Sequence, residues 1–170
     1  IFAGKGDIKN SGDIFAENNS IGIFANNIDL ETGTKITVGN KGTAIYSKEG
    51  TANLKNNVEI KASNNSIGIY ANNVVLGDSL KIDLGSNSTA IYVKSSPVVL
   101  GDNTQIKASD NSLGVYGTKI SSIGNLKIDL GSNSTAIYTK DLDVNLSKGA
   151  EITAANNSLG IYGKGDVKLD

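Results

Sequence analysis

The chain has 170 residues, a net charge of −1 and 38% hydrophobic residues. This length fits one domain, and the near-neutral charge gives no reason to expect nucleic acid or an anionic membrane as a partner. No stretch reaches the roughly 20 consecutive apolar residues that a membrane-spanning helix needs. Cys, His, Trp and Arg are absent, so all 16 basic residues are Lys.

The chain begins inside a repeat, because Ile1 and Phe2 match the end of a short apolar run that returns throughout the sequence. The spacings between the aromatic residues that close these runs are 22, 22, 24, 22, 24, 22 and 24 residues. These aromatics are Phe2, Phe24, Tyr46, Tyr70, Tyr92, Tyr116, Tyr138 and Tyr162. We therefore expect residues 1–170 to be a single fragment of a longer repeat domain.

Two kinds of repeat alternate along the chain. One reads IFAENNSIGIF from Ile14, and it returns from Ile60, Ile106 and Ile152 at intervals of 46 residues. The other reads KITVGNKGTAIY from Lys35 and KIDLGSNSTAIY from Lys81 and Lys127, again 46 residues apart. The unit is therefore a double rung, with one rung of 22 residues and one of 24.

Each rung contains three short segments with the alternating pattern of a β-strand. The first has the form Ile-x-Ala/Val/Leu, the second is the Ile-Gly-Ile-Tyr or Thr-Ala-Ile-Tyr run, and the third has the form Val-x-Leu. The turn between the second and third segments has three residues (71–73) or five (93–97), which accounts for the two rung lengths. No segment is long and periodic enough for a helix. This pattern predicts an all-β fold, a right-handed parallel β-helix of about seven rungs.

The residues that flank the first strand's Ile predict how the rungs stack. The preceding residue alternates between an acid or amide and Lys, and the following residue alternates in the opposite phase over most of the chain. The preceding row is Asp13, Lys35, Glu59, Lys81, Gln105, Lys127 and Glu151, and the following row is Phe15, Thr37, Lys61, Asp83, Lys107, Asp129 and Thr153. Opposite charges attract when parallel rungs stack in register about 4.8 Å apart, so we expect Ile inward and the charges outward.

A row of Asn is predicted in the turn after the first strand, since Asn tolerates left-handed backbone conformations. Its members are Asn19, Asn65, Asn87, Asn111, Asn133 and Asn157. Stacked amides can also bond along the axis. Lys41 is the exception, and because Gly42 follows it we expect Gly42 to adopt the positive φ there.

The candidate binding surface lies on the second strand. If side chains alternate there, Ile residues such as Ile69 and Ile91 point inward, and the aromatics point outward beside a flat strip of Gly and Ala such as Gly68 and Ala90. The candidate residues are Tyr46, Tyr70, Tyr92, Tyr116, Tyr138 and Tyr162. Tyr offers stacking area and a hydroxyl to a glycan or protein partner. The alternative is that the rings cover backbone and serve only the scaffold.

The motifs NNSIGIY, GSNSTAIY and NNSLGIY resemble the passenger repeats of type V autotransporters, and the Asn, Lys and Ile bias without Arg is most similar to the large fusobacterial adhesins. The resemblance covers essentially the whole chain. It implies a secreted, extracellular segment at the bacterial surface that attaches to a protein or glycan of host cells or other bacteria, as a virulence adhesin does. It also implies a C-terminal outer-membrane β-barrel that anchors the parent protein and that we expect to lie outside this chain.

Parallel β-helices also serve as polysaccharide lyases and glycoside hydrolases, so a carbohydrate-active enzyme is the alternative function. Nucleophilic schemes usually need a His as base, and the chain has no His. Lyases that act on acidic sugars would need Arg or a metal near the cleavage point, and the chain has no Arg. Asp83 and Asp129 would stand roughly 9.6 Å apart across two rungs, near the wide end of the range for inverting glycosidases, but Lys107 falls between them. The repeated Gly-Asp pairs, which could suggest a calcium site, are explained by turn chemistry. We therefore expect no catalytic, cofactor-binding or metal-binding residues.

Overall fold

The computed structural model describes residues 1–170 as a solenoid of 22 strands without a helix. Apart from one break on the third face, each strand pairs in parallel with its equivalent in the next rung, so successive strands of a rung belong to different sheets. The architecture is a parallel β-helix of about seven turns with three faces. The all-β prediction and the three-strand rung are both confirmed.

Face one carries the charged rows, and face two carries the aromatic row. Face one consists of β2 (Ile14–Ala16), β5 (Lys35–Val38), β8 (Glu59–Ala62), β11 (Lys81–Leu84), β14 (Thr104–Ala108), β17 (Leu126–Leu130) and β20 (Ala150–Ala154). Face two consists of β3 (Ile21–Ala25), β6 (Thr43–Ser47), β9 (Ile67–Ala71), β12 (Thr89–Val93), β15 (Leu113–Gly117), β18 (Thr135–Thr139) and β21 (Leu159–Tyr162). Each is a continuous seven-stranded sheet.

Face three is divided into two four-stranded sheets. The first contains β1 (Asp7–Asn10), β4 (Asn27–Leu30), β7 (Thr51–Leu54) and β10 (Asn73–Leu76). The second contains β13 (Val98–Leu100), β16 (Ile120–Ser122), β19 (Val144–Leu146) and β22 (Val167–Leu169). The turn predicted at 71–73, between the second and third strands of a rung, is shorter in the structure. The second strand β9 ends at Ala71 and the third strand β10 begins at Asn73.

The core is one column of 35 buried apolar residues enclosed by the three faces. Alternation places it there: in β11, for example, Ile82 and Leu84 are buried while Lys81 and Asp83 are exposed. Fully burying an Ile, Val or Leu side chain stabilises the fold by about 1.5–3 kcal/mol. Each rung adds several such residues, so the column is the main source of stability.

The turn after the first strand has a left-handed residue in every rung. All six Asn residues of the predicted row have φ between 56° and 58°. Lys41 occupies the same position with φ 55°, and Gly42 has no positive φ. The expectation that Gly42 replaces Lys41 in this role is therefore wrong. The rung register fixes the turn, and Lys41 adopts the conformation that its neighbours adopt.

The break in face three lies between β10 and β13, which are not paired. Pro97, the only proline in the chain, directly precedes β13. Proline has no N–H to donate to a ladder and is confined within sheets to edge strands and strand starts. Around the break, Val74 and Leu76 are half-buried instead of buried, while Val75 and Val99 are 56% and 45% exposed.

Candidate functional site

The aromatic row of face two is a continuous stack. Register pairs each Tyr directly with the Tyr of the next rung, as in Tyr70 with Tyr92 and Tyr92 with Tyr116. Ring centroids are 4.9 Å apart for Tyr46–Tyr70, 5.2 Å for Tyr70–Tyr92, 4.4 Å for Tyr92–Tyr116, 5.5 Å for Tyr116–Tyr138 and 4.7 Å for Tyr138–Tyr162. Interplanar angles are 2° to 16° in these pairs. Phe24 and Phe2 continue the stack toward the N terminus.

This stacking decides which part of each ring can meet a partner. Both faces of a ring inside the row contact neighbouring rings, so the free parts are the ring edge and the hydroxyl. Accordingly, the Tyr side chains are half-buried, apart from Tyr162 at 44% exposure. The tyrosines therefore do not offer open ring faces to a glycan, and their stacking area is used within the protein.

The predicted flat strip of Gly and Ala beside the tyrosines is wrong. Ala90 is fully buried and Gly68 is buried, as is Ile91 beside Ala90. The pairing of β12 with β15 goes from Thr89↔Leu113 directly to Ile91↔Val115 and omits Ala90. The ladder is therefore interrupted at this position, and two successive side chains are buried.

A close backbone contact explains why Gly and Ala alternate at the interrupted position. A Cβ at Gly22 would lie 2.7 Å from the carbonyl oxygen of Ala44, and one at Gly68 would lie 2.5 Å from that of Ala90. Real Cβ contacts are longer than this, so these rungs require Gly. The second strand departs from regular alternation at this position, since two successive buried residues are followed by a half-buried Tyr.

A shallow groove runs between the Tyr row and the Asn row in the fourth to sixth rungs. Its volume is about 490 Å³. It is lined by Asn87, Ser88, Thr89, Tyr92, Asn111, Ser112, Leu113, Tyr116, Asn133, Thr135 and Tyr138. No lining side chain carries a formal charge at neutral pH. We call this feature the Tyr–Asn groove.

The Asn side of the groove is held by backbone hydrogen bonds. The N–H of Asn87 donates to the carbonyl of Asp110 at 2.9 Å, and the N–H of Asn111 donates to that of Ser132 at 2.8 Å. The side chains of Asn87, Asn111 and Asn133 are exposed and make no hydrogen bond within the protein. The predicted bonding between the amides of this row is therefore absent.

The axial side-chain bonds come from two neighbouring rows that sequence analysis missed. The residue before the left-handed position accepts a backbone N–H from the next rung, as Asn64 Oδ1 does from Ser86 at 2.8 Å. A buried serine row lies on the other side, where the N–H of Ser88 donates to Ser112 Oγ at 3.2 Å and the N–H of Ser112 donates to Ser134 Oγ at 3.0 Å. The recurrence of Ser directly before the second strand is the sequence feature that could have revealed it.

The phenol of Tyr92 has a raised pKa. Burial is the main cause, because it penalises the charged phenolate, and the neighbouring Tyr116 hydroxyl acts in the same direction. Tyr92 is therefore neutral at physiological pH. The groove keeps its uncharged lining over the whole neutral range.

Face one has the predicted in-register charge rows. Asp83 pairs with Lys107, and Lys107 pairs with Asp129. Glu59 contacts Lys61 at 2.9 Å and Lys35 at 3.9 Å. The hydrogen bond from Lys61 holds the pKa of Glu59 below its usual value. Burial opposes it as the next-largest effect, and the nearby lysine charges act in the same direction as the hydrogen bond.

A second groove, of about 310 Å³, lies over these rows and contains both Asp83 and Asp129. Within each row, lysines alternate with carboxylates or, at Gln105, with an amide. No group of three or more His, Cys, Asp or Glu side chains is placed to hold a metal ion. The structure also has no helix of the length and apolar character that a membrane span requires.

Comparison of the chain with protein-family models, curated proteins and solved structures finds no significant match.

Proposed function

We propose that this chain is a structural and adhesive segment of a bacterial surface passenger of the autotransporter kind. In this function the solenoid extends away from the cell and presents a repeated extracellular surface to a protein or glycan of host cells or other bacteria. The family assignment rests on the resemblance of the NNSIGIY and GSNSTAIY repeats.

The observation that carries the proposal is the continuity of rows on faces one and two. The Tyr, Asn, Ser and charged positions recur from rung to rung without an inserted loop. Repeats that contact only their neighbours gain length without needing a new core. A surface of recurring rungs also suits multivalent attachment, since several weak contacts act together.

The alternative, a carbohydrate-active β-helix, has less support. Its candidate carboxylates, Asp83 and Asp129, both pair with Lys107 as members of a charged row that extends over four rungs from Lys61. Active sites usually lie on loops that depart from the scaffold, and here the two positions belong to regular strands.

Adhesion by the purified chain tests the proposal. Beads coated with the chain should bind epithelial or bacterial cells more than beads coated with an unrelated protein of similar charge. Soluble chain should compete with the beads. Release of reducing ends or unsaturated sugars from polysaccharides would favour the enzymatic alternative. Adhesion no greater than that of the control beads would contradict an adhesive role for this segment.

A further inference from the structure

We propose that the Tyr–Asn groove binds an uncharged linear glycan that lies along the axis of the solenoid. This inference rests on the proposed adhesive function and specifies its ligand. It concerns the fourth to sixth rungs, where the groove is continuous.

The lining chemistry selects the ligand class. Amides, hydroxyls and aromatic edges line the groove, and all of them are uncharged. The groove on face one is lined by four lysines and three carboxylates. A polyanion would find its counter-charges on face one, whereas a chain of sugar hydroxyls finds donors and acceptors in the Tyr–Asn groove.

The Asn side chains have free hydrogen-bonding capacity. Their backbone N–H groups are bonded to the next rung, but the side-chain amides of Asn87, Asn111 and Asn133 have no partner within the protein. Glycine adopts the same positive φ without steric cost. The backbone therefore does not require an amide at these positions, and each rung presents one free donor and acceptor group.

The Tyr side of the groove adds hydroxyls and an apolar edge. Because the ring faces are stacked on one another at 4.4 Å and 5.5 Å on either side of Tyr116, a sugar can meet only the ring edges and hydroxyls. Recognition then depends mainly on hydrogen bonds, and each rung contributes little by itself.

The period of the groove favours an extended polymer. Rungs repeat about every 4.8 Å, a distance close to the advance of one sugar ring in an extended pyranose chain. Each additional sugar therefore meets an Asn and a Tyr on the next rung, while Thr and Leu alternate between them. The uniform Asn row begins after Lys41, whose charge interrupts it toward the N terminus.

Calorimetric titration with β1,4-linked glucose and N-acetylglucosamine oligosaccharides, from di- to hexasaccharides, tests the inference. Affinity should rise with oligosaccharide length until the ligand covers the groove. The combined variant Asn87→Gly, Asn111→Gly and Asn133→Gly should weaken the longest ligands about tenfold or more, because it removes several hydrogen bonds. Glycine preserves the left-handed turns, and circular dichroism checks the fold.

The matched control is the combined variant Asn19→Gly, Asn57→Gly and Ser79→Gly. These three residues have the same left-handed conformation, with φ of 57°, 60° and 58°, make no side-chain hydrogen bond within the protein and lie outside the groove. The control should bind as the parent chain does. Equal losses in both variants, no binding of any neutral oligosaccharide, or competition only by heparin or by an extended peptide would overturn the inference.

Bead adhesion separates this inference from the proposed function. If the beads still attach to cells while neutral oligosaccharides neither bind nor compete, the glycan inference fails and the adhesive function stands. If the parent chain gives no adhesion, the adhesive function fails whatever the oligosaccharides do.

Discussion

At the residue scale, the tyrosines of face two act mainly on each other. Each internal ring has one neighbour above and one below, with planes nearly parallel. Their regular spacing was evident in the sequence, but their mutual stacking depends on the side chains' exact orientation across strands. Alternation alone could not show that Ala90 and Ile91 are both buried, because the interruption in the ladder between them is a property of rung packing.

Replacing Tyr116 should test how much the stack contributes to stability. Tyr116→Ala removes two stacked contacts and leaves a gap in the row, so we expect a loss of about 2–3 kcal/mol in the free energy of unfolding. Tyr116→Phe keeps both contacts and should cost less than about 1 kcal/mol. Urea denaturation measures both variants. Equal, small losses would mean that the stacking seen here contributes little.

The raised pKa of Tyr92 gives a pH dependence with a definite sign. The folded state holds the phenolic proton more tightly than the unfolded state, so stability should fall as pH rises above about 10, the usual tyrosine pKa. Tyr92→Phe has no proton to lose and should show a smaller decline. The measurement is the urea midpoint at about pH 9 and about pH 11 for both proteins. Identical declines would show that Tyr92 is not responsible.

At the element scale, the turns follow the strands and not the local sequence alone. The Asn row was predictable because Asn is the residue that tolerates left-handed backbone best after Gly. The positive φ was predicted at Gly42 because local propensity favours Gly. It lies at Lys41, because the stacked neighbours determine which residue is left-handed. The break at β10 and β13 had one sequence clue, Pro97, whose effect depends on its place at the start of a strand.

Lys41 should be a site where a single substitution stabilises the protein. A left-handed conformation is costly for Lys and less so for Asn, so Lys41→Asn should raise the free energy of unfolding by about 0.5–1 kcal/mol. Lys48→Asn is the matched control, since Lys48 is exposed and has no positive φ. The urea midpoint should rise for the first variant only. A similar rise in both would point to removal of a charge as the cause.

The edge strands of face three should exchange their amide hydrogens faster than their neighbours. β10 and β13 each have a partner on one side only, whereas β7 and β16 have partners on both. Amides in a strand that is paired on one side only exchange through local openings that cost less free energy than those of a strand paired on both sides. Hydrogen–deuterium exchange read by mass spectrometry should show faster uptake in peptides that cover 73–76 and 98–100 than in those that cover 51–54 and 120–122. Equal uptake would mean that the two edges pair in solution.

At the scale of the whole molecule, repetition made the fold predictable. Spacings of 22 and 24 residues located every strand of faces one and two, and the charge rows gave the register. The buried serine row and the Tyr–Asn groove were not predicted, because both arise where turn residues of one rung meet those of the next. The second strand's departure from alternation, with two successive buried residues, was likewise not evident from a single rung.

Removal of one double rung should leave a folded, shorter protein. Deletion of residues 60–105 joins Glu59 to Ile106 and preserves the phase of all three strands. Small-angle X-ray scattering should show a maximum dimension about 9.6 Å shorter, from a rod on the order of 35 Å long. Deletion of residues 60–94 is not a whole number of rungs and should abolish cooperative unfolding. If both deletions behave alike, the rungs are not the independent units described here.

The division of face three has a mechanical consequence. A rod pulled or bent along its axis carries load through the hydrogen-bonded ladders of its three walls, and at the boundary between β10 and β13 only two walls are bonded. Bending that opens the third wall is therefore least resisted there, and the exposed Val75 and Val99 mark the side that would open. At this boundary the molecule is a rod with a preferred direction of flexure, able to yield under shear without separating the stacks on its other two faces.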